Sequence, residues 1–162
     1  MKAWTKGIVS ALRQDETENN DGMDICMIKL EKAGNSQHKL TFSGASRPLY
    51  YCLGGDNKLN ILKGDRRSIG GVRTKRKTAI YFTNQELMLP VGSMAFLSTD
   101  GYTDQNDTER NKLGVHEFNN LLHKALSINN INQQKDILDH ALDQHMGIEK
   151  QRDDITVIGI KV

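Results

Sequence analysis

Apolar residues form short alternating or continuous runs up to residue 98, and this pattern is typical of strands. The runs are rich in Ile, Leu, Phe and Tyr. Segments with turn chemistry at 33–35, 54–57 and 63–65 separate several of them. The strand-like runs are residues 24–30, 40–43, 49–53, 59–62, 79–82 and 94–98. Together they predict an antiparallel meander.

The hydrophobic period changes to that of a helix after Gly114. Apolar residues then recur at three- and four-residue spacing, and Gly147 is typical of a helix end. The residues with this spacing are Phe118, Leu121, Leu122, Ala125, Ile137, Leu138, Ala141, Leu142 and His145. A β-branched run at 155–162 returns to strand, and we expect it to lie beside the strand at 94–98. Strands, two helices and a last strand predict an α+β fold.

Length and composition limit the fold and the cellular location. The 162 residues are 37% hydrophobic and 26% charged, which predicts one domain over 1–162 with a single core. No apolar stretch approaches the roughly 18 to 20 residues that a membrane span needs, and 1–9 lacks the apolar centre of a signal peptide. We therefore expect a cytoplasmic protein. Cys26 and Cys52 lie in strand-like runs and are interpreted as buried hydrophobic residues rather than as a disulfide.

The charge of the chain is nearly balanced, but basic residues are concentrated in one segment. A net charge of +2 argues against nucleic-acid binding, which relies on many phosphate contacts. Glycines accompany the basic residues, so the segment is interpreted as a solvated loop; docking of an acidic or phosphorylated partner is the alternative. The cluster consists of Arg66, Arg67, Arg73, Lys75, Arg76 and Lys77. Near the N terminus, we expect a short helix within 2–12 and a polar, disorder-prone segment at 14–20.

Two acidic segments stand at the ends of strand-like runs. Asp100-Gly101 follows the apolar run at 94–97, and Asp153-Asp154 precedes the run that starts at Ile155. A carboxylate at the point where a strand emerges into a tight turn is well placed to hold a hard cation. We therefore expect Asp100 and Asp153 to meet at one end of a sheet. The alternative for Asp100 is that it only caps a turn.

Five segments, in this order, carry a resemblance to a known family. They are 21–25 (Asp-Gly-Met-Asp-Ile), 42–50 (Phe-Ser-Gly-Ala-Ser-Arg-Pro-Leu-Tyr), 63–65 with 68–70 (Lys-Gly-Asp, Ser-Ile-Gly), 98–105 (Ser-Thr-Asp-Gly-Tyr-Thr-Asp-Gln) and 153–157 (Asp-Asp-Ile-Thr-Val). The chain resembles the C-terminal part of a metal-dependent protein serine/threonine phosphatase of the PPM type, or type 2C. The resemblance is greatest to the bacterial SpoIIE-like branch, and it covers nearly the whole chain.

The resemblance implies an antiparallel β-sandwich flanked by helices, with two Mn²⁺ or Mg²⁺ ions at one end that activate a water for attack on phosphorus. On the matching positions, Asp100 and Asp153 are metal ligands. Gly101 and Asp154 are candidates for further contacts with the metals or their ligands, and Asp154 replaces Asp153 if the register shifts by one. Arg47 is a candidate phosphate contact, with a structural salt bridge as the equal alternative.

The chain also departs from the family pattern. The family's Asp on the first strand, and the Asp-Gly-His-Gly turn that follows it, have no counterpart here. Ala45 stands where many relatives have an Asp that binds a third metal. We therefore expect the N-terminal strands and half of the metal site to be missing, and little or no activity from this chain alone. Uncovered sheet edges would favour association, with a homodimer as the expected form.

Two alternative functions follow. The first is metal-dependent hydrolysis of phosphoserine or phosphothreonine in a bacterial regulatory protein, as a step of signal transduction and under an upstream sensory domain. The second is a phosphatase-like regulatory or scaffolding module that binds a phosphoprotein without hydrolysis. The missing first Asp favours the second for this chain. Retention of both Asp100 and Asp153 favours the first for the complete domain.

Overall fold

The computed structural model describes residues 7, 10–14, 16, 21–71 and 81–162. Several expectations therefore fall mostly or wholly outside the described residues. They are the helix within 2–12, the polar segment at 14–20, the strand residues 79–80, and Arg73, Lys75, Arg76 and Lys77 of the basic cluster. Tyr81 and Phe82, the rest of that expected strand, have no regular secondary structure.

The described residues form helices and antiparallel strands, which confirms the α+β class. The strands are β1 (Gly22–Met23), β2 (Ile25–Lys32), β3 (Gln37–Ala45), β4 (Leu49–Cys52), β5 (Asn60–Leu62), β6 (Ile69–Gly70), β7 (Gln85–Pro90), β8 (Met94–Ser98) and β9 (Val157–Lys161). The helices are α1 (Gly101–Asp104), α2 (Gly114–Leu126) and α3 (Ile131–Met146). No helix among them is long and apolar enough to cross a membrane.

The chain divides into two compact units, of which the first comprises Met1–Leu49 and Leu62–Met88. Its main feature is the antiparallel β2–β3 ladder, which runs from the pair Ile25↔Ala45 to the pair Lys32↔His38. β7 lies beside β3, and β1 pairs with β6. The buried residues of this unit include Leu40, Phe42, Ala45 and Ile69.

Gly44 and Gly64 of the first unit stand at positions where no side chain fits. A Cβ on Gly44 would lie 2.2 Å from the carbonyl oxygen of Arg47, and one on Gly64 would lie 2.5 Å from the same atom. The backbone N–H of Asp65 donates to the carbonyl of Gly44 at 2.9 Å, and the Asp65 carboxylate accepts from the backbone N–H of Thr83 at 2.7 Å. The backbone is therefore closely packed where the segments of Gly44 and Gly64 meet the Arg47 carbonyl.

The second unit comprises Tyr50–Ile61 and Leu89–Val162. Its sheet has the order β5-β4-β8-β9. Helix α2 buries Phe118 against Tyr50 and Tyr102, with ring centroids 5.5 and 4.9 Å apart respectively. The Tyr102 hydroxyl donates to the Leu138 carbonyl at 2.7 Å. Burial, together with the carboxylates of Asp139 and Glu117, raises the pKa of Tyr102 far above its usual value.

Both predicted late helices are confirmed as α2 and α3. The side chain of Asn130 caps α3 by accepting from the backbone N–H of Asn132 at 2.9 Å. Gly147 ends α3 with a φ of 56°, in the left-handed region that favours glycine. The expectation that Gly147 stops this helix is therefore confirmed.

The predicted meander is wrong. β4 lies between β5 and β8, so it is not beside its other sequence neighbour, β3. β1 pairs with β6, and the two neighbours of β3 are β2 and β7. Sequence periodicity identifies which segments are extended, but it does not identify their partners across a long connection. β7 was not predicted at all.

The two cysteines are free, as predicted. Burial raises the pKa of the Cys26 thiol to about 12. Burial and the nearby Asp56 carboxylate also raise the pKa of the Cys52 thiol. Both thiols are therefore protonated near neutral pH and are poor nucleophiles.

Candidate active site

The pairing of β8 with β9 brings the two acidic segments to one end of the sheet. The strands are antiparallel, with Ser98 opposite Val157 and Met94 opposite Lys161. The end of β8 therefore lies beside the start of β9. The prediction that these two strands are neighbours is confirmed. Asp100 follows the first and Asp153 precedes the second, so both lie beyond the same sheet end.

Thr99 and Gly101 join these segments directly. The Thr99 hydroxyl donates to the carbonyl of Asp154 at 3.0 Å and accepts from the backbone N–H of Thr156 at 3.0 Å. A Cβ on Gly101 would lie 2.5 Å from the Asp154 carbonyl oxygen, closer than real Cβ contacts. The requirement for glycine at 101 is therefore steric, and it comes from the second acidic segment.

Asp100 occupies the N-cap position of α1. Its carbonyl accepts from the Thr103 hydroxyl at 2.9 Å and from the backbone N–H of Asp104 at 2.8 Å. Its side chain makes no capping hydrogen bond to the helix. Both interpretations of Asp100, as a metal ligand and as a residue that only caps the turn after β8, therefore stay predictions.

Asp153 is exposed and borders a small pocket of about 150 Å³. Its Oδ1 accepts from the backbone N–H of Asp154 at 2.7 Å, which fixes the local turn. Gly101, Asp104, Lys112 and Arg152 complete the pocket wall, and Lys112 is paired with Asp104 at 3.0 Å. The pocket wall thus carries two carboxylates and two basic side chains, and Arg152 and Asp153 are the members outside the Lys112–Asp104 pair.

Gln105 was not predicted to have a role, although it holds the second acidic segment in place. It is only 1% exposed. Its Nε2 donates to the Lys150 carbonyl at 3.1 Å, and its Oε1 accepts from the backbone N–H of Arg152 at 3.2 Å. Because Gln105 follows α1 directly, these bonds tie the segment that leads to Asp153 to the segment that begins at Asp100.

Arg47 lies in the first unit and makes a salt bridge. Its guanidinium is 3.4 Å from Asp24 Oδ2, and its side chain is 20% exposed. Asp24 Oδ1 also accepts from the Ser68 hydroxyl. The salt-bridge alternative for Arg47 is therefore present in the structure, and its phosphate contact stays a prediction.

One family model matches nearly the whole chain. The model described as Stage II sporulation protein E (SpoIIE) matches residues 8–162. The chain belongs to the SpoIIE family. A comparison with curated proteins found no match.

Three solved structures share the fold of this SpoIIE-family chain. The SiaA-PP2C domain of Pseudomonas aeruginosa matches with a TM-score of 0.73 and 24% identity, over 98% of this chain and 59% of that one. The phosphatase domain of SpoIIE from Bacillus subtilis matches with a TM-score of 0.57 and 16% identity, over 99% and 65%. The catalytic domain of the serine threonine protein phosphatase PstP, in complex with two manganese ions, matches with a TM-score of 0.59 and 16% identity, over 98% and 66%.

These matches confirm the predicted PPM-type fold. Because the identities are low, the structural likenesses show the fold alone. The chain spans between 59% and 66% of the length of these three solved chains.

The donor type of the candidate site fits a hard divalent cation. Asp100 and Asp153 supply carboxylate oxygens, which Mn²⁺ and Mg²⁺ prefer. Within the described ranges, no three His, Cys, Asp or Glu residues are grouped so that they could hold a metal. Asp100 and Asp153 are the two carboxylates that the β8–β9 register brings beyond one sheet end.

Proposed function

We propose that residues 1–162 form one phosphatase domain, or the larger part of one. The domain hydrolyses phosphoserine or phosphothreonine in a cytoplasmic bacterial regulatory protein. The observation that supports this most is the β8–β9 register, which puts Asp100 and Asp153 beyond one sheet end in a chain of the SpoIIE family. In the wider proposal, the domain acts in signal transduction under an upstream sensory domain.

In this proposal, Asp100 and Asp153 hold Mn²⁺ or Mg²⁺, and Asp154 is the alternative to Asp153. A bound divalent ion lowers the pKa of water and offsets charge on the phosphoryl oxygens. Thr99, Gly101 and the Asp154 carbonyl keep the two acidic segments in contact. Arg152, beside Asp153, attracts the phosphate group.

The proposal is tested by hydrolysis of a phosphoserine peptide with Mn²⁺ or Mg²⁺. We expect little or no turnover from the 162 residues and clear turnover from the chain extended by any in-frame segment encoded before Met1. EDTA should abolish this turnover, because the reaction depends on the ion. N-ethylmaleimide should leave it unchanged, because both thiols are protonated. An extended protein that is inert with every divalent ion contradicts the proposal.

The second candidate function is phosphoprotein binding without hydrolysis. It is favoured by the side chains near Asp100 and Asp153, because the described residues contain no cluster of three His, Cys, Asp or Glu side chains that could hold a metal. Binding of the intact phosphoserine peptide by the extended protein, with no phosphate release, would support it. Release of phosphate by that protein would instead support the phosphatase.

Association into a homodimer is a further part of the proposal. β9 is the last strand of its sheet, and Ile158 on β9 is 49% exposed. An apolar strand at a sheet edge favours pairing with another chain. Sedimentation velocity at micromolar concentration should show a dimer, and Ile158→Lys should convert it to a monomer. Ile148→Lys is the control, because Ile148 is 92% exposed and lies outside the sheet. A wild-type monomer at all concentrations contradicts dimerisation.

A further inference from the structure

Asp153 lies in an exposed segment between a helix and a strand. Helix α3 ends at Met146, and β9 begins at Val157. Residues 147–154 between them are all exposed, and 149–154 belong to no helix or strand. Regular secondary structure therefore does not fix the backbone around Asp153, so the position of its carboxylate depends on the contacts that neighbouring side chains make with this segment.

The side-chain amide of Gln105 makes two such contacts. Its Nε2 donates to the Lys150 carbonyl at 3.1 Å, and its Oε1 accepts from the backbone N–H of Arg152 at 3.2 Å. This pair of backbone groups needs a side chain that donates with one atom and accepts with another, as an amide does. An ionised carboxylate cannot donate, and a thioether is only a weak acceptor. The two contacts are therefore specific to an amide of this length.

The backbone carbonyl of Gln105 is held by two donors from the helical part of the unit. The backbone N–H of Leu113, directly before α2, donates to it at 2.9 Å. His145 Nε2, in the last turn of α3, lies 3.1 Å from the same oxygen. Because a carbonyl only accepts, His145 Nε2 has to carry the hydrogen. Gln105 is thus held by the start of α2 and the end of α3, and its amide in turn holds the exposed segment.

We propose that Gln105 and His145 are positioning residues for the proposed metal ligand Asp153. The inference rests on the proposed metal-dependent function. His145 acts on Gln105, and Gln105 acts on the backbone of Arg152, the residue next to Asp153. Groups that orient a metal ligand contribute to the affinity for the ion without touching it. Loss of either residue therefore lowers the affinity of the site for Mn²⁺ while both carboxylates remain.

Solvent exchange of backbone amides tests the positioning without any metal. In the ¹⁵N-labelled 162-residue chain, Gln105→Met should make the Arg152 amide exchange at least about tenfold faster, because this amide loses its acceptor. Gln134→Met is the matched control. Gln134 is also a buried glutamine of this unit, and its Nε2 donates to the Ile128 carbonyl at 2.6 Å. This control should leave the exchange rate of Arg152 unchanged.

A titration with Mn²⁺ alone measures the effect on the proposed metal site. Bound Mn²⁺ broadens nearby resonances, so the amide signals of Gly101 and Asp154 report on binding. Gln105→Met should raise the Mn²⁺ concentration at which these signals are half broadened by at least about tenfold. Gln134→Met should leave that concentration unchanged.

His145 provides a second test if Gln105→Met does not fold. His145→Leu removes the donor to the Gln105 carbonyl, so it should speed exchange at Arg152 and raise the Mn²⁺ requirement. His145→Gln supplies an amide N–H at a similar distance from the backbone and should restore both values. Rescue by glutamine separates the hydrogen bond from the packing of the ring.

Two results overturn the proposal. One is wild-type exchange of Arg152 in both Gln105→Met and His145→Leu. The other is an equal effect of Gln134→Met, which would reflect general loosening of the unit. If Mn²⁺ broadens neither Gly101 nor Asp154 in the wild-type chain or in the extended protein, the proposed metal-dependent function fails instead. The exchange rates then still decide whether Gln105 and His145 position the segment of Asp153.

Discussion

Replacing Asp100 with asparagine should lower Mn²⁺-dependent hydrolysis by the extended protein by roughly a thousandfold or more. In the proposed metal site, the change removes a ligand charge, and the contribution of that site is electrostatic. It keeps the size of the side chain and leaves the Asp100 carbonyl free to accept from Thr103 and Asp104 as before. Initial rates with a phosphoserine peptide at saturating Mn²⁺ measure the effect, and the unfolding temperature should stay close to that of the wild type.

Asp104→Asn is the matched control for this prediction. Asp104 ends the same short helix, is exposed and is paired with Lys112. Exposed ion pairs contribute little to the free energy of folding, and Asp104 is not a proposed metal ligand. The rate of hydrolysis should therefore change by no more than a few fold. If the extended protein is active and Asp100→Asn leaves its hydrolysis rate unchanged, Asp100 is not a metal ligand. Equal losses in both variants would point to the pocket charge rather than to a ligand.

Local periodicity was sufficient to predict α2, α3, β8 and β9 around the candidate site, but not the short helix α1, where only a tight turn was expected. α2 and α3 each bury one apolar stripe, and that stripe is visible in the spacing of Phe118, Leu122 and Leu138. β8 and β9 are short apolar segments, and the acidic motifs at their ends predicted that the two strands are adjacent. Their register then placed Asp100 and Asp153 beyond one sheet end, as expected.

The same reasoning failed where partners are distant in sequence. β7 contains Glu86 among apolar residues and ends at Pro90, so its pattern is weak. Its place beside β3 depends on the fold of the first unit, which local pattern does not contain. The expected meander assumed that neighbours in sequence are neighbours in the sheet, but β4 lies between β5 and β8 and not beside β3.

The supporting contacts of the site were also beyond sequence reasoning. Gln105 acts through backbone groups at Lys150 and Arg152, about fifty residues away along the chain. Its position directly after the acidic motif was visible, but a glutamine there is ordinary unless its burial is known. Arg47 had two equal alternatives because its partner, Asp24, is likewise distant in sequence.

Gly101→Ala should destabilise the chain by about 1–3 kcal/mol. The added methyl group would lie 2.5 Å from the Asp154 carbonyl oxygen, and a backbone atom cannot rotate away as a flexible side chain can. The segment at 153–154 must therefore move relative to β8, which weakens the hydrogen bond between the Thr99 hydroxyl and that carbonyl. Urea unfolding followed by circular dichroism measures the loss of stability.

Gly7→Ala provides the control for Gly101→Ala, because a Cβ at position 7 would have no neighbour within 4 Å. Its free energy of unfolding should not fall, because residue 7 is helical and alanine favours a helical backbone over glycine. In the extended protein, Gly101→Ala should also reduce hydrolysis, because it displaces the segment that carries Asp153 without removing either carboxylate. Wild-type stability of Gly101→Ala would show that the two acidic segments are not in contact, and the shared site of Asp100 and Asp153 would then lose its structural basis.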